Sequence, residues 1–66
     1  MSDVHTFFVI KDAIHGGYYR GGSPRFPDMG GTRDEAFPFA DRMACGEAMR
    51  ALPLTIIAIS EEVARG

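Results

Sequence analysis

The sequence contains few of the residues that make cross-links, metal sites or membrane spans. One cysteine among 66 residues excludes an intramolecular disulfide and any zinc site built only from protein thiolates. The two apolar runs, residues 7–10 and 54–59, are each too short to cross a membrane or to form the core of a signal peptide. We therefore expect a protein that makes no membrane contact and works in the cytoplasm.

Positive charge is also scarce in this chain. Seven Lys and Arg residues stand against nine Asp and Glu residues, the formal net charge is -2, and Lys11 is the one lysine. This balance gives no general attraction to nucleic-acid phosphates, although a local basic patch remains possible. The composition, 45% hydrophobic and 24% charged, is typical of a folded chain, and the length predicts a single domain over residues 1–66.

The N-terminal half is typical of a β-hairpin followed by a loop. Residues 4–11 are rich in β-branched and aromatic side chains on both faces, which predicts a central strand. Gly16 and Gly17 predict a turn, because glycine reaches backbone conformations that close tight turns. Residues 18–22 then predict a second strand, and residues 23–36 predict a long loop.

The C-terminal half predicts a helix and a strand. Asp41 can cap the N-terminus of a helix that runs to Leu52, and Pro53 ends it. Spacing of three and four residues predicts that one stripe of this helix is buried, namely Cys45, Ala48, Met49 and Leu52. Residues 54–59 predict a third strand that is apolar on both sides, and residues 61–66 predict a charged tail that can continue the strand briefly.

These elements predict an α+β fold in β-β-α-β order. A three-stranded, mainly antiparallel sheet would carry one α-helix packed on one face. The other face would expose apolar side chains, which we expect Phe26, Phe37 and Phe39 of the loop region to cover. If they do not cover it, that face is a partner site or a dimer interface.

Short segments between Phe7 and Leu52 resemble a group of small phage and prophage proteins. The matching segments are residues 8–11, 17–19, 34–36, Phe39 and residues 47–52. The resemblance implies the same β-β-α-β fold and an origin in a mobile element. In size and character the chain is also similar to anti-CRISPR proteins, some of which present an acidic surface that imitates DNA.

The resemblance implies a phage-encoded inhibitor of a host defence complex. The specific hypothesis is a monomeric anti-CRISPR that binds the basic DNA channel of a type I CRISPR surveillance complex and blocks DNA binding. Spaced carboxylates can bind Arg and Lys in place of phosphates, and an exposed methionine can add an apolar contact. The candidate partner-binding residues are Asp28, Asp34, Glu35, Asp41, Met43 and Glu47.

Two structural alternatives compete with this hypothesis. The acidic residues also fit an ordinary solvated surface, because Arg33, Arg42 and Arg50 lie among them and would weaken their field. Met43 also fits a position beneath the long loop, where no partner would reach it.

A second functional hypothesis is binding of single-stranded nucleic acid. Tyrosine rings can stack on bases and arginines can contact phosphates, and the segment around residues 18–26 combines the two. Its candidate residues are Tyr18, Tyr19, Arg20 and Arg25. Against it, one of the two adjacent tyrosines is expected to belong to the core.

Residues for metal binding or catalysis are nearly absent. His5, His15 and Cys45 are the soft ligands of the chain, and none has the spacing of a metal pair. Cys45 falls on the buried stripe, where burial raises the pKa of a thiol and suppresses its reactivity. We therefore expect no metal, no cofactor, no direct nucleic-acid contact in the inhibitor, and no enzyme activity.

Overall fold

Two short antiparallel sheets and one α-helix make up the part of the chain that the computed structural model describes, residues 4–23 and 25–65. The α+β class and the predicted helix are confirmed. The single-domain prediction also covers residues 1–3, 24 and 66, which lie outside the described residues. In chain order the elements are β1 (His5–Asp12), β2 (Gly21–Gly22), β3 (Pro27–Asp28), a 3-10 helix (Arg33–Glu35), α1 (Arg42–Arg50) and β4 (Ala58–Arg65).

Strand β1 occupies a central position, as its apolar side chains on both faces predict. On one side it pairs antiparallel with β4, where Phe7 lies opposite Val63. On the other side Phe8 exchanges two backbone hydrogen bonds with Phe39, at 2.8 and 2.9 Å, and the Tyr19 amide donates to the Ile10 carbonyl at 2.9 Å. The backbone of β1 therefore has partners along both edges.

The predicted three-stranded sheet is only partly present. Strand β1 pairs with β4 and strand β2 pairs with β3, which gives two two-stranded sheets. The expected second strand, residues 18–22, meets β1 at one bridge between Lys11 and Tyr18. Gly21 and Gly22 have positive φ angles of 127° and 92°, which bend the chain away from β1 and toward β3. The predicted hairpin ends early for this reason.

The predicted third strand is present but shifted along the chain: it runs from Ala58 to Arg65, so only residues 58 and 59 of the predicted range 54–59 belong to it. Leu54 is 98% exposed, and the Ile56 amide donates to the Pro53 carbonyl in a turn. Val63, by contrast, is buried against the sheet. Residues 54–57 are thus a connection, and the segment assigned to a charged tail supplies most of the pairing strand.

The helix covers the face of β1 that carries Phe8 and Ile10. The buried residues of this cluster are Ile10, Cys45 and Leu52, and the half-buried side chains around them are Phe8, Tyr19, Met29, Phe39, Ala48, Met49 and Ala58. All four predicted stripe residues therefore belong to this cluster. Cys45 and Leu52 are buried as predicted, although Leu52 lies two residues beyond the end of α1, whereas Ala48 and Met49 are half-buried.

The opposite face of β1 is covered differently from the prediction. Tyr18 and Ala36 pack there on Val9 and Val63, with Phe7 at the margin. The expected cover by three phenylalanines is wrong: Phe26 is 82% exposed, Phe37 is 46% exposed, and Phe39 packs on the helix side. Successive residues point to opposite faces of an extended segment, so Tyr18 reaches this face while Tyr19 reaches the other.

A carboxylate organises the turn after β1. Asp12 is buried, and its side chain accepts hydrogen bonds from the amides of Ile14 and His15 at 2.9 and 3.1 Å. The His15 Nδ1 atom lies 2.9 Å from the second carboxylate oxygen. Hydrogen bonds from the His15 and Ile14 amides and the His15 ring lower the pKa of Asp12 below its usual value near 3.8.

The lowered pKa of Asp12 makes stability depend on acid pH. Because the folded state favours the ionised carboxylate, this contribution is present above pH 3.8 and is lost as the pH falls through the lower folded-state pKa. We expect Asp12→Asn to unfold at a lower temperature than the wild type at pH 7, and to lose less stability between about pH 4 and pH 2. Circular dichroism melts across that range measure both effects. The exposed Glu47→Gln is the control, and a wild-type acid slope in Asp12→Asn would contradict the assignment.

Candidate protein-binding surface

Arg20 binds two of the predicted acidic contact residues. Its guanidinium lies 3.0 Å from the Asp28 carboxylate and 3.3 Å from the Glu35 carboxylate. The Arg20 amide also donates to the Asp28 carbonyl at 2.8 Å, which fixes the two residues side by side. One positive charge therefore offsets part of the acidic field that the sequence predicts here.

The same two carboxylates hold the local backbone. Asp28 accepts from the Gly30 amide at 3.0 Å, and Glu35 accepts from the Thr32 amide at 2.9 Å. These backbone bonds are the largest cause of the lowered pKa of each carboxyl, and Arg20 lowers both further. Asp28 and Glu35 are thus structural residues as much as candidate contacts.

Gly31 provides the space that Arg20 uses to reach its partners. A Cβ atom at Gly31 would lie 2.2 Å from Arg20 Cγ and 3.0 Å from the Tyr18 carbonyl oxygen. The aliphatic part of the arginine therefore crosses directly over this glycine. The arrangement depends on residues that lie far apart in the sequence.

The remaining acidic candidates have different surroundings. Asp41 caps α1 as predicted, because its carboxylate accepts from the Ala44 amide at 2.7 Å. Asp34 is exposed beside Glu35, and Glu47 is exposed on α1. The structure therefore divides the predicted surface into a group around Arg20 and a group on the helix.

The outer face of α1 presents an apolar side chain to solvent. Met43 is 75% exposed, so the alternative in which the long loop covers it is wrong. No neighbour approaches within 4 Å of the position that a Cβ atom would take at Gly46. An open concavity of about 560 Å³ lies on this face and is lined by Arg42, Met43, Gly46, Glu47 and Arg50.

The residues proposed for nucleic-acid stacking are mostly engaged within the fold. Tyr18 is buried, and its hydroxyl donates to the Glu61 carboxylate at 2.5 Å. That bond is the main reason why the pKa of Tyr18 is raised. Tyr19 packs on the rings of Phe37 and Phe39, each with its centroid 6.2 Å away.

The basic members of that segment are separated by their surroundings. Arg20 is held by Asp28 and Glu35, while Arg25 is exposed. A stacking site needs exposed ring faces beside available cations. Tyr18 offers no exposed ring face, because it is buried and Lys11 Nζ lies 5.7 Å from its ring centroid.

The side chains that could bind a metal ion or act as nucleophiles do not cluster in the part of the chain that is described. No three His, Cys, Asp or Glu side chains among residues 4–23 and 25–65 lie close enough to hold a metal ion. Cys45 is fully buried, and this burial raises the pKa of its thiol. Within the same residues, no helix has the length and apolar character needed to cross a membrane.

Sequence reasoning missed the role of Arg20 and the role of Glu61. Arg20 is separated from Asp28 by 8 residues and from Glu35 by 15, so no local spacing announces the cluster. Glu61 reaches Tyr18 across 43 residues. The alternation of Tyr18 and Tyr19 was the available signal that one of the two rings is buried.

Comparison with known proteins adds no relative to these observations. No protein-family model, no curated protein and no solved structure matches this chain.

Proposed function

We propose that this protein acts by binding another protein through the outer face of α1, without chemistry of its own. The observation that carries the proposal is the 75% exposure of Met43 within an open concavity. A flexible thioether adapts to irregular partner surfaces, and methionine is enriched at protein interfaces. Arg42, Glu47 and Arg50 border this one.

The partner that we propose is a host protein complex with a basic DNA-binding channel, specifically a type I CRISPR surveillance complex. The resemblance to small phage proteins and the net charge of -2 support this choice. Binding would block access of DNA, and the inhibitor would be a phage-encoded monomer in the cytoplasm of the bacterial host. Because Arg20 already binds Asp28 and Glu35, we assign the larger part of the affinity to the helix face and a smaller part to phosphate mimicry.

The substitution Met43→Ala tests the proposed contact. We expect it to weaken inhibition of DNA binding by the surveillance complex at least about ten-fold, because a central apolar contact would be lost. Its effect on stability should be small, since the side chain is exposed and alanine favours the helix. A gel-shift assay with the purified complex, its target DNA and increasing inhibitor measures the change.

Leu54→Ala is the matched control, because Leu54 is 98% exposed, lies in the turn before β4 and does not line the concavity on α1. It should inhibit as the wild type does. Equal loss of inhibition in both variants would contradict a contact at the helix face. Absence of inhibition by the wild-type protein would remove this class of partner. The same gels, run with DNA alone, report binding of DNA by the protein itself, which the proposal does not expect.

A further inference from the structure

Strand β4 has one paired edge and one open edge. Its eight residues pair antiparallel with β1, and no other strand in the described residues pairs with it. An open edge presents N–H and C=O groups that can accept another extended chain. An eight-residue edge is long enough for several such hydrogen bonds.

The hydrogen-bond pattern of β1 identifies the groups at the open edge. The backbone N–H and C=O groups of Phe8 both bond to Phe39, on the side away from β4. Phe8 lies opposite Glu62 in β4, so Phe8 and Glu62 form a pair without backbone hydrogen bonds between them. In an antiparallel ladder such residues alternate with hydrogen-bonded ones. The outward N–H and C=O groups are therefore those of Ala58, Ser60, Glu62 and Ala64.

The side chains along this edge leave room for a second strand. Ser60 and Ala64 are small and exposed, and Glu62 is exposed on the same face. Arg42 lies 3.9 Å from Glu62, but both side chains are largely exposed, and such a pair contributes little. On the opposite face Ile59 is 44% exposed, next to the half-buried Glu61.

The charges of β4 select the kind of strand that fits. When two copies of β4 overlap antiparallel as fully as their outward groups allow, the two Glu61 side chains face each other, and like charges directly opposite destabilise a sheet. A strand with Lys or Arg in the centre would instead face Glu61 on one side and Glu62 on the other. The edge thus disfavours self-pairing and favours a basic partner.

We infer that the open edge of β4 binds an extended basic segment of another protein by adding it as a strand. Adjacent basic residues would lie opposite Glu61 and Glu62, and an apolar residue two positions further would lie opposite Ile59. This site is distinct from the contact on α1 and does not depend on the proposed function.

The test uses an eight-residue capped peptide with two central lysines flanked by valine and threonine. We expect it to bind the wild-type protein, and the same peptide with two central glutamates to bind at least about ten-fold more weakly. Fluorescence polarisation of labelled peptides measures both. Amide hydrogen exchange should show new protection at Ser60, Glu62 and Ala64 on binding, with Glu61 and Val63 protected before and after.

Backbone methylation of the peptide separates strand addition from simple charge attraction. Two variants of the lysine peptide carry N-methyl groups on alternate residues. In one series the methyl groups are at the odd-numbered positions, and in the other series they are at the even-numbered positions. Only one series can turn its methyl groups toward β4, so one should lose binding and the other should keep it. Equal binding of the two series, or no binding of the lysine peptide, would overturn the inference. The inference would also be overturned if the protein alone sedimented as a dimer and its Ser60, Glu62 and Ala64 amides were already protected from exchange.

Discussion

Replacing Gly17 with alanine is expected to leave the protein largely unfolded. A Cβ atom at this position would lie 1.9 Å from the Met29 carbonyl oxygen and 3.1 Å from its carbonyl carbon. The obstacle is backbone and cannot rotate away, so the segments around residues 17 and 29 would have to separate. Overpacking a core typically costs about 1–3 kcal/mol of stability, and a backbone clash this close lies at the upper end of that range. The net free energy of unfolding of a domain of this size is only about 3–5 kcal/mol. Thermal and urea melts followed by circular dichroism measure the loss.

Gly46→Ala is the matched control for this substitution. Gly46 lies in α1, and a Cβ atom there would meet nothing within 4 Å. The same chemical change should stabilise the protein by up to about 1 kcal/mol, because alanine favours the helix. A Gly17→Ala protein that melts at the wild-type temperature would show that residues 17 and 29 are not in contact.

Replacing Ile10 with alanine is the second change with a large expected effect. Ile10 is fully buried between β1 and α1, in the cluster that contains Cys45 and Leu52. Truncation of a buried isoleucine costs about 2–5 kcal/mol, because the surrounding side chains fill the cavity only in part. This range overlaps the whole expected stability of the domain. We expect the variant to be partly or fully unfolded at 25 °C in urea titrations.

The control for Ile10→Ala is Ile14→Ala in the neighbouring turn. Ile14 is 67% exposed, so the same truncation should change the free energy of unfolding by no more than about 0.5 kcal/mol. Similar losses in the two variants would mean that Ile10 is not a core residue.

The helix was predictable because its signals are local. The cap at Asp41 and the buried Cys45 follow from residues close together in the sequence, although the helix ends at Arg50, two residues before the predicted end at Leu52. The position of β4 was not predictable in the same way. The run at residues 54–59 has the composition of a strand, yet the pairing of Val63 with Phe7 determines which residues form it. That contact spans most of the chain and leaves no local pattern.

The candidate surface divides in the same manner. Exposure of Met43 and Glu47 follows from helical spacing, and the structure agrees with it. The partnership of Arg20 with Asp28 and Glu35 depends on how β2 meets β3, so the sequence suggested a more negative surface than the fold presents. The inhibitor hypothesis itself stays a prediction until the competition assay is done.

The buried position of Cys45 gives the protein an internal reporter. Its sulfur lies at the centre of the helix-side cluster, 4.0 Å from the Val9 carbonyl oxygen, and the raised pKa keeps the thiol protonated. A disulfide reagent such as dithiobis(nitrobenzoate) can form a mixed disulfide with this thiol, and release coloured thionitrobenzoate, only while α1 is detached from β1. The rate at which absorbance appears when the wild-type protein is mixed with the reagent therefore reports how often the helix separates from the sheet. No label has to be introduced into the chain.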